Sequence, residues 1–90
     1  FSLGQNYPNP FNGQTNIEFT LERASNIVVR IYSNTGQHVR TLVNAYLAAG
    51  RYTLVWDGRD DNGYKAASGN FHYQLEVGKY SKTRQLTLLK

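Results

Sequence analysis

The sequence of 90 residues contains no cysteine and only two prolines. Without cysteine the chain can form neither a disulfide framework nor a thiolate zinc site, so its stability must come from packing. The longest apolar run, 27–31, is interrupted by Arg30 and is far shorter than the roughly 18 to 20 residues of a membrane-spanning helix. The sequence therefore excludes a disulfide scaffold and a membrane-spanning helix.

The positive charge of the chain is spread out rather than clustered. Ten Lys and Arg residues oppose six Asp and Glu residues, which gives a formal net charge of +4. An excess of Lys and Arg is found in proteins that bind nucleic acid, but in those proteins the cationic residues cluster in a patch or arm. Here the cationic residues occur singly, so we do not expect nucleic-acid binding. Because the chain begins at Phe1 without a leader segment, we interpret it as a piece of a longer polypeptide.

Apolar side chains alternate with polar ones in several short segments, as in strands with one buried face. No segment carries apolar residues at i, i+3, i+4 and i+7 over the length of a stable helix, although 42–49 is ambiguous and could hold one helical turn. The positions predicted to face inward are Ile17, Phe19, Leu21, Ile27, Val29, Ile31, Tyr52, Leu54, Trp56, Phe71, Tyr73, Leu75, Val77, Leu86 and Leu88.

Turn-forming residues separate these segments. Gly, Asn and Asp cluster at 34–37 and 57–63, where positive φ and local side-chain hydrogen bonds favour chain reversal. Short strands at intervals of about 8 to 12 residues predict an all-β, antiparallel sandwich of about seven strands. Residues 1–14 hold both prolines and no periodic pattern, so we interpret them as a linker and proline strap, and residues 15–90 as the sandwich.

Few residues could support catalysis or metal binding. His38 and His72 are the only imidazoles, and no serine lies in a G-x-S-x-G motif, so we interpret both histidines as surface residues and expect no enzyme. Asp57, Asp60 and Asp61 offer oxygen ligands that suit calcium, but their spacing does not match an EF-hand loop. We therefore predict a loop capped by its own side chains, with a weak calcium site as the open alternative. No cofactor is predicted.

Aromatic residues make up 13% of the chain. An exposed row of aromatic rings on a β-sandwich could stack on sugar rings, but the largest rings fall on predicted inward positions. The tyrosines left for the surface lie on different elements, so the sequence shows no row, and sugar binding stays an alternative. These tyrosines are Tyr7, Tyr32, Tyr46, Tyr64 and Tyr80.

Several motifs resemble one family along almost the whole chain. They include Gln5-Asn6-Tyr7-Pro8-Asn9-Pro10-Phe11-Asn12, Val55-Trp56-Asp57-Gly58-Arg59-Asp60, Ala67-Ser68-Gly69 and the ending Leu86-Thr87-Leu88-Leu89-Lys90. Together they resemble the C-terminal sorting domain carried by cargo of the type IX secretion system in Bacteroidota-like bacteria, a relative of the Ig-like domain in flagellar hook-capping proteins. The chain departs from that pattern at Gly13, where the family commonly has proline, and at Glu22-Arg23, where a Leu-Pro pair is common.

The resemblance implies a seven-stranded Ig-like sandwich and a non-catalytic function. Such a domain ends a secreted protein, engages the outer-membrane secretion machinery and is often removed by a sortase-like peptidase. The implied partners are that machinery and an upstream cargo domain of the same polypeptide, and the implied location is secreted or cell-surface, reached through the periplasm. The alternatives are a carbohydrate-binding or domain-docking module of a secreted enzyme, and a flagellar hook-cap assembly domain.

The resemblance also assigns site residues. The candidate secretion-signal positions are Thr83, Leu86, Leu88, Leu89 and Lys90. The candidate structural positions are Pro8, Asn9, Pro10, Phe11, Trp56, Asp57, Gly58 and Gly69. We expect 83–90 to be an edge strand whose unpaired backbone groups a receptor strand could join.

Physical reasoning gives two of these positions a packing role. Pro8 and Pro10 restrict the residues before them to extended conformations, so the segment should be a stiff strap that brings Phe11 onto the sandwich. Trp56 lies on an inward register and should be buried between the sheets, with Phe71 or Tyr73 nearby.

Overall fold

Seven strands form within residues 1–89, the part of the chain that the computed structural model describes. The strands are β1 (Ser2–Leu3), β2 (Thr15–Leu21), β3 (Ser25–Ser33), β4 (His38–Leu47), β5 (Gly50–Trp56), β6 (Gly69–Val77) and β7 (Tyr80–Leu88). Residues 1–89 contain no helix, so none there could cross a membrane. The all-β prediction is confirmed, and the ambiguous segment 42–49 continues β4 as far as Leu47 instead of forming a helical turn.

The strands of residues 1–89 pair into two antiparallel sheets, one in the order β1-β2-β5 and the other in the order β4-β3-β6-β7. The register places Phe19 opposite Tyr52 in the smaller sheet and Val29 opposite Leu75 in the larger one. Directly opposed residues of an antiparallel pair point to the same face. Side chains that the alternation predicts to face inward therefore meet between the two sheets.

Trp56 lies at the centre of the core and is fully buried. Its ring centroid is 5.3 Å from that of Phe71 in the opposite sheet and 5.7 Å from that of Phe11. These tilted and edge-to-face contacts are the arrangements that aromatic pairs prefer. The alternation predicted that Trp56 would be buried with Phe71 or Tyr73 nearby, and Phe71 is in ring contact with it. The prolines predicted that Phe11 would pack onto the sandwich, and Phe11 is buried in the core.

Residues 1–14, predicted as a linker and strap, are packed against the sandwich. Leu3 is buried in β1, which pairs with β2. Asn6 is also buried, and its backbone N–H donates to the Tyr73 hydroxyl at 2.9 Å. The hydroxyl in turn donates to the Gly4 carbonyl at 2.6 Å. The N-terminal segment is therefore hydrogen-bonded to the core as well as covering it.

Candidate functional site

The candidate secretion-signal positions divide into buried and exposed residues. Leu86 and Leu88 are buried in the core, whereas Thr83 and Leu89 are exposed, Leu89 by 49%. Lys90 lies outside the described residues. The two buried leucines hold β7 to the sandwich, so a partner could contact only the exposed positions directly.

β7 is an edge strand of the larger sheet, as predicted, but residues 5–12 cover part of its outer edge. We use the name strap for residues 5–12, which run beside the end of β7, with Phe11 and Leu88 forming a parallel bridge. The hydrogen bonds between the two segments include Phe11 N to Thr87 O (3.0 Å), Leu89 N to Phe11 O (2.7 Å), Thr87 N to Asn9 Oδ1 (3.0 Å) and Gln5 Nε2 to Gln85 O (2.8 Å).

These bonds correct the expectation that the whole segment 83–90 offers unpaired backbone groups. Thr87 and Leu89 already use theirs on the strap, so another strand can pair there only after the strap leaves. Nearer the start of β7, two cationic side chains reach across to the smaller sheet. Arg84 Nε donates to Leu3 O at 2.7 Å, and Lys82 Nζ donates to Phe1 O at 2.9 Å.

A cavity of about 590 Å³ lies where the strap, the loop after β5 and the end of β7 meet. We call it the corner cavity. Its lining includes residues 12–14, Lys65, Leu88 and Leu89. Gly58 also lines it, and its φ of +77° is a backbone conformation that residues with a Cβ rarely adopt. The corner cavity therefore brings the last described residue together with the end of the strap, from opposite ends of the sequence.

The carboxylates of the loop after β5 cap its backbone, as the sequence predicted. Asp57 Oδ1 accepts from Arg59 N at 3.1 Å. Asp60 Oδ1 accepts from both Asn62 N (2.9 Å) and Tyr64 N (3.0 Å). Within residues 1–89 no group of three or more His, Asp or Glu side chains is arranged to hold a metal ion. One carboxylate oxygen of Asp57 and one of Asp60 thus cap the backbone of the loop.

Asp61 joins the same loop to the edge of β4. Its Oδ2 lies 2.7 Å from His38 Nε2, and its Oδ1 accepts from Thr41 N at 3.0 Å. The backbone hydrogen bond from Thr41, and next the hydrogen bond to His38, lower the pKa of Asp61 below its usual value. Thr41 Oγ1 lies 3.5 Å from the same Nε2. A catalytic triad instead uses the two different ring nitrogens, so this arrangement holds the loop and does not activate the Thr41 hydroxyl.

Two groups of side chains with aromatic rings lie near one another in the structure, and the sequence predicted neither group. Tyr46 and Tyr80, both exposed, line a cavity of about 690 Å³ at the end of the sandwich opposite the corner cavity. Tyr32 packs edge-on against His38, with ring centroids 6.0 Å apart, and lies opposite His72 on the outer face of the larger sheet. Alternation assigned Tyr32 and His72 to an outer face, but only the order of strands shows that these two residues are neighbours.

Comparison with known proteins relates this fold to two groups of bacterial proteins. The family model described as FlgD Ig-like domain matches residues 4–82. No curated protein matches the chain. Among solved structures, FlgD from P. aeruginosa is 26% identical with a TM-score of 0.64, and the match covers 82% of this chain and 57% of that one.

Two structures from Porphyromonas gingivalis are also similar. Dimeric latent PorU has a TM-score of 0.74 at 18% identity, covering 94% of this chain and 9% of that one. PorZ, described as an essential bacterial surface component of the type-IX secretion system, has a TM-score of 0.61 at 22% identity, covering 96% of this chain and 11% of that one. These similarities confirm the Ig-like sandwich, and the chain spans only a small part of either protein.

Proposed function

The chain belongs to the FlgD Ig-like domain family, and from that premise we propose that it is a non-catalytic sorting domain for type IX secretion. It would direct a secreted cargo protein, joined upstream in the same polypeptide, through the outer-membrane machinery. Its location would be secreted or cell-surface, and its partners would be that machinery and a sortase-like peptidase. The similarity to PorU and PorZ supports the Ig-like fold that a sorting domain requires. The motifs that resemble sorting domains support the proposed function.

One observation carries the proposal. The strap and the chain ending are two of the segments whose sequences resemble sorting domains, and they pair with each other through Phe11, Thr87 and Leu89. Segments that lie at opposite ends of the sequence thus build one surface. A partner that recognises both motifs would contact this corner once, on the folded domain.

The corner also indicates how a partner would bind. Strand addition along 87–89 is blocked while the strap is in place, so we assign recognition to the exposed side chains around the corner cavity. Leu89 offers an exposed apolar group, and Lys65 offers a cation that lines the same cavity. An apolar contact with a neighbouring charge gives both affinity and orientation.

The test is export of a reporter fused upstream of the 90 residues in a bacterium that has a type IX secretion system. Removing Leu89 and Lys90, or substituting Leu89→Thr, should leave the reporter in the periplasm. Val55→Thr is the matched control, because Val55 is 48% exposed, close to the 49% of Leu89, but does not line the corner cavity. Circular dichroism and urea unfolding should show that each variant is folded. Surface delivery of the folded truncated fusion at the intact rate would refute recognition at the corner.

A second candidate function is assembly in a flagellar hook cap. It is favoured by the family match and by the 26% identity to FlgD from P. aeruginosa. The two functions are separable by transplantation of the 90 residues into FlgD in place of its own Ig-like domain. Restored hook assembly, together with no export of the reporter fusion, would favour the flagellar function over sorting.

A further inference from the structure

We propose that Asn12 is a site of spontaneous deamidation, and that a second Asn-Gly pair, Asn62-Gly63, is protected from the same reaction by its hydrogen bonds. The sequence contains both Asn12-Gly13 and Asn62-Gly63. Asparagine is among the thermolabile residues of proteins, and a following glycine favours the reaction because it has no side chain to obstruct ring closure.

The reaction consumes one molecule of water and releases one molecule of ammonia, and it needs no other reactant. The backbone nitrogen of the glycine loses its proton and attacks Cγ of the asparagine side chain. A bond forms between that nitrogen and Cγ, the bond from Cγ to Nδ2 breaks, and the amide nitrogen leaves as ammonia. Water then opens the resulting succinimide at either carbonyl, which gives aspartate or isoaspartate. The reaction is slowed wherever the glycine N–H is held in a hydrogen bond.

The two pairs are closely matched in conformation and space. Gly13 has a φ of +89° and Gly63 has a φ of +86°. Neither glycine has an atom within 4 Å of the point where a Cβ would lie. Both asparagines are exposed. The φ of the glycine and the crowding around it therefore give no reason for the two sites to react at different rates.

The hydrogen bonds of the two pairs differ. Gly63 N donates to Asp60 O at 3.0 Å, and Gly63 O accepts from Arg59 NH1 at 2.8 Å. Asn62 N is also held, by Asp60 Oδ1 at 2.9 Å. By contrast, residues 12–14 make no backbone hydrogen bond to any other part of residues 1–89. The glycine nitrogen that must lose its proton is therefore hydrogen-bonded at Gly63. At Gly13 the same nitrogen has no hydrogen-bond partner within residues 1–89.

The product would change the charge of the corner cavity. Asn12 lines that cavity together with Lys65 and Leu89. Deamidation places a carboxylate there and lowers the formal net charge of the chain from +4 by one. The isoaspartate product also lengthens the backbone immediately after Phe11. Only the consequence for recognition rests on the proposed function, since the reaction itself needs no partner.

The experiment is to incubate the folded 90-residue chain in mildly alkaline buffer and to quantify asparagine, aspartate and isoaspartate at both positions by peptide mapping and mass spectrometry. We expect Asn12 to be lost several-fold faster than Asn62 in the folded protein. In urea, where the protecting hydrogen bonds are gone, the two rates should become similar. Equal rates in the folded protein, or faster loss of Asn62, would overturn the proposal.

Two variants make the comparison specific. Asn12→Gln should abolish rapid deamidation at position 12 and leave the rate at Asn62 unchanged, because glutamine must close a larger ring. Asp60→Ala removes the carboxylate that holds Asn62 N but keeps the backbone carbonyl that accepts from Gly63 N, so the rate at Asn62 should stay well below that of Asn12 in the folded variant. A rate at Asn62 equal to that of Asn12 in folded Asp60→Ala would contradict protection through the Gly63 N–H. The measurement does not involve export, so failure of the deamidation proposal is distinguishable from failure of the proposed sorting function.

Discussion

Truncating Trp56 tests the architecture most directly. The side chain is fully buried and packs against Phe11 of the strap and Phe71 of the larger sheet. Trp56→Ala removes the ring that joins these two parts and leaves a cavity that rigid sheets can fill only in part. Substitutions of this type cost about 3 to 5 kcal/mol. Native proteins are stable by only about 5 to 15 kcal/mol, so this loss removes at least about a fifth, and at the low end all, of the free energy of unfolding.

The hydrogen bond of the indole contributes less than its packing. Trp56 Nε1 donates to Arg59 O at 2.9 Å, but Arg40 NH1 donates to the same oxygen at 3.3 Å. The carbonyl therefore keeps a partner when the indole is removed. Trp56→Phe retains most of the ring contacts and loses this bond, so we expect a loss of about 1 to 2 kcal/mol. The difference between the two variants then measures the packing.

The assay is urea unfolding followed by far-ultraviolet circular dichroism, because Trp56 is the only tryptophan and its fluorescence is lost with it. Val55→Ala is the control, since this adjacent side chain is 48% exposed on the opposite face of β5. Its free energy of unfolding should change by no more than about 0.5 kcal/mol. A Trp56→Ala midpoint that coincides with that of Val55→Ala, at an unchanged m-value, would refute the assignment of Trp56 to the inter-sheet core.

Two further predictions concern polar groups. Tyr73→Phe should lower the free energy of unfolding by about 1 to 3 kcal/mol, because the Tyr73 hydroxyl binds Asn6 N and Gly4 O; a urea midpoint equal to that of wild type would contradict this. Asp61 has a pKa lowered from 3.8, first by the Thr41 backbone and then by the neighbouring imidazole, so its ionised form stabilises the fold above that value and the stabilisation is lost as pH falls through the lower folded pKa. Asp61→Asn should therefore weaken the acid dependence of unfolding, and an unchanged dependence would show that the Asp61 carboxylate contributes nothing to it.

Alternation in the sequence predicted which side chains face the core. Phe71, Tyr73 and Leu75 are buried on β6, and Ile27 and Val29 are buried on β3, as a period of two requires. The prediction from alternation succeeds because burial on one face is a local property of each strand. The prediction needed no knowledge of which strands are neighbours.

The candidate site was harder to predict because it depends on which segments are neighbours. β1 spans only Ser2–Leu3, too short to show any period, and the strap has no alternation at all. Nothing local in the sequence indicates that Asn9 binds Thr87 or that Asp61 binds His38. The edge strand was predicted correctly, but its covering by the strap was missed because that contact joins opposite ends of the sequence.

The pairing of the strap with β7 also has a consequence for how the chain folds. Asn9 and Thr87 are 78 residues apart, and Gln5 and Gln85 are 80 apart. Contacts of such long sequence separation cost loop-closure entropy before they return any stability, and they slow folding. In synthesis from the N-terminus, Asn9 and Phe11 are made early, but their partners on β7 are made last. A chain that ends before Thr87 cannot complete this contact, so its Phe11 backbone stays unpaired, and closure of the strap distinguishes the finished domain from an incomplete one.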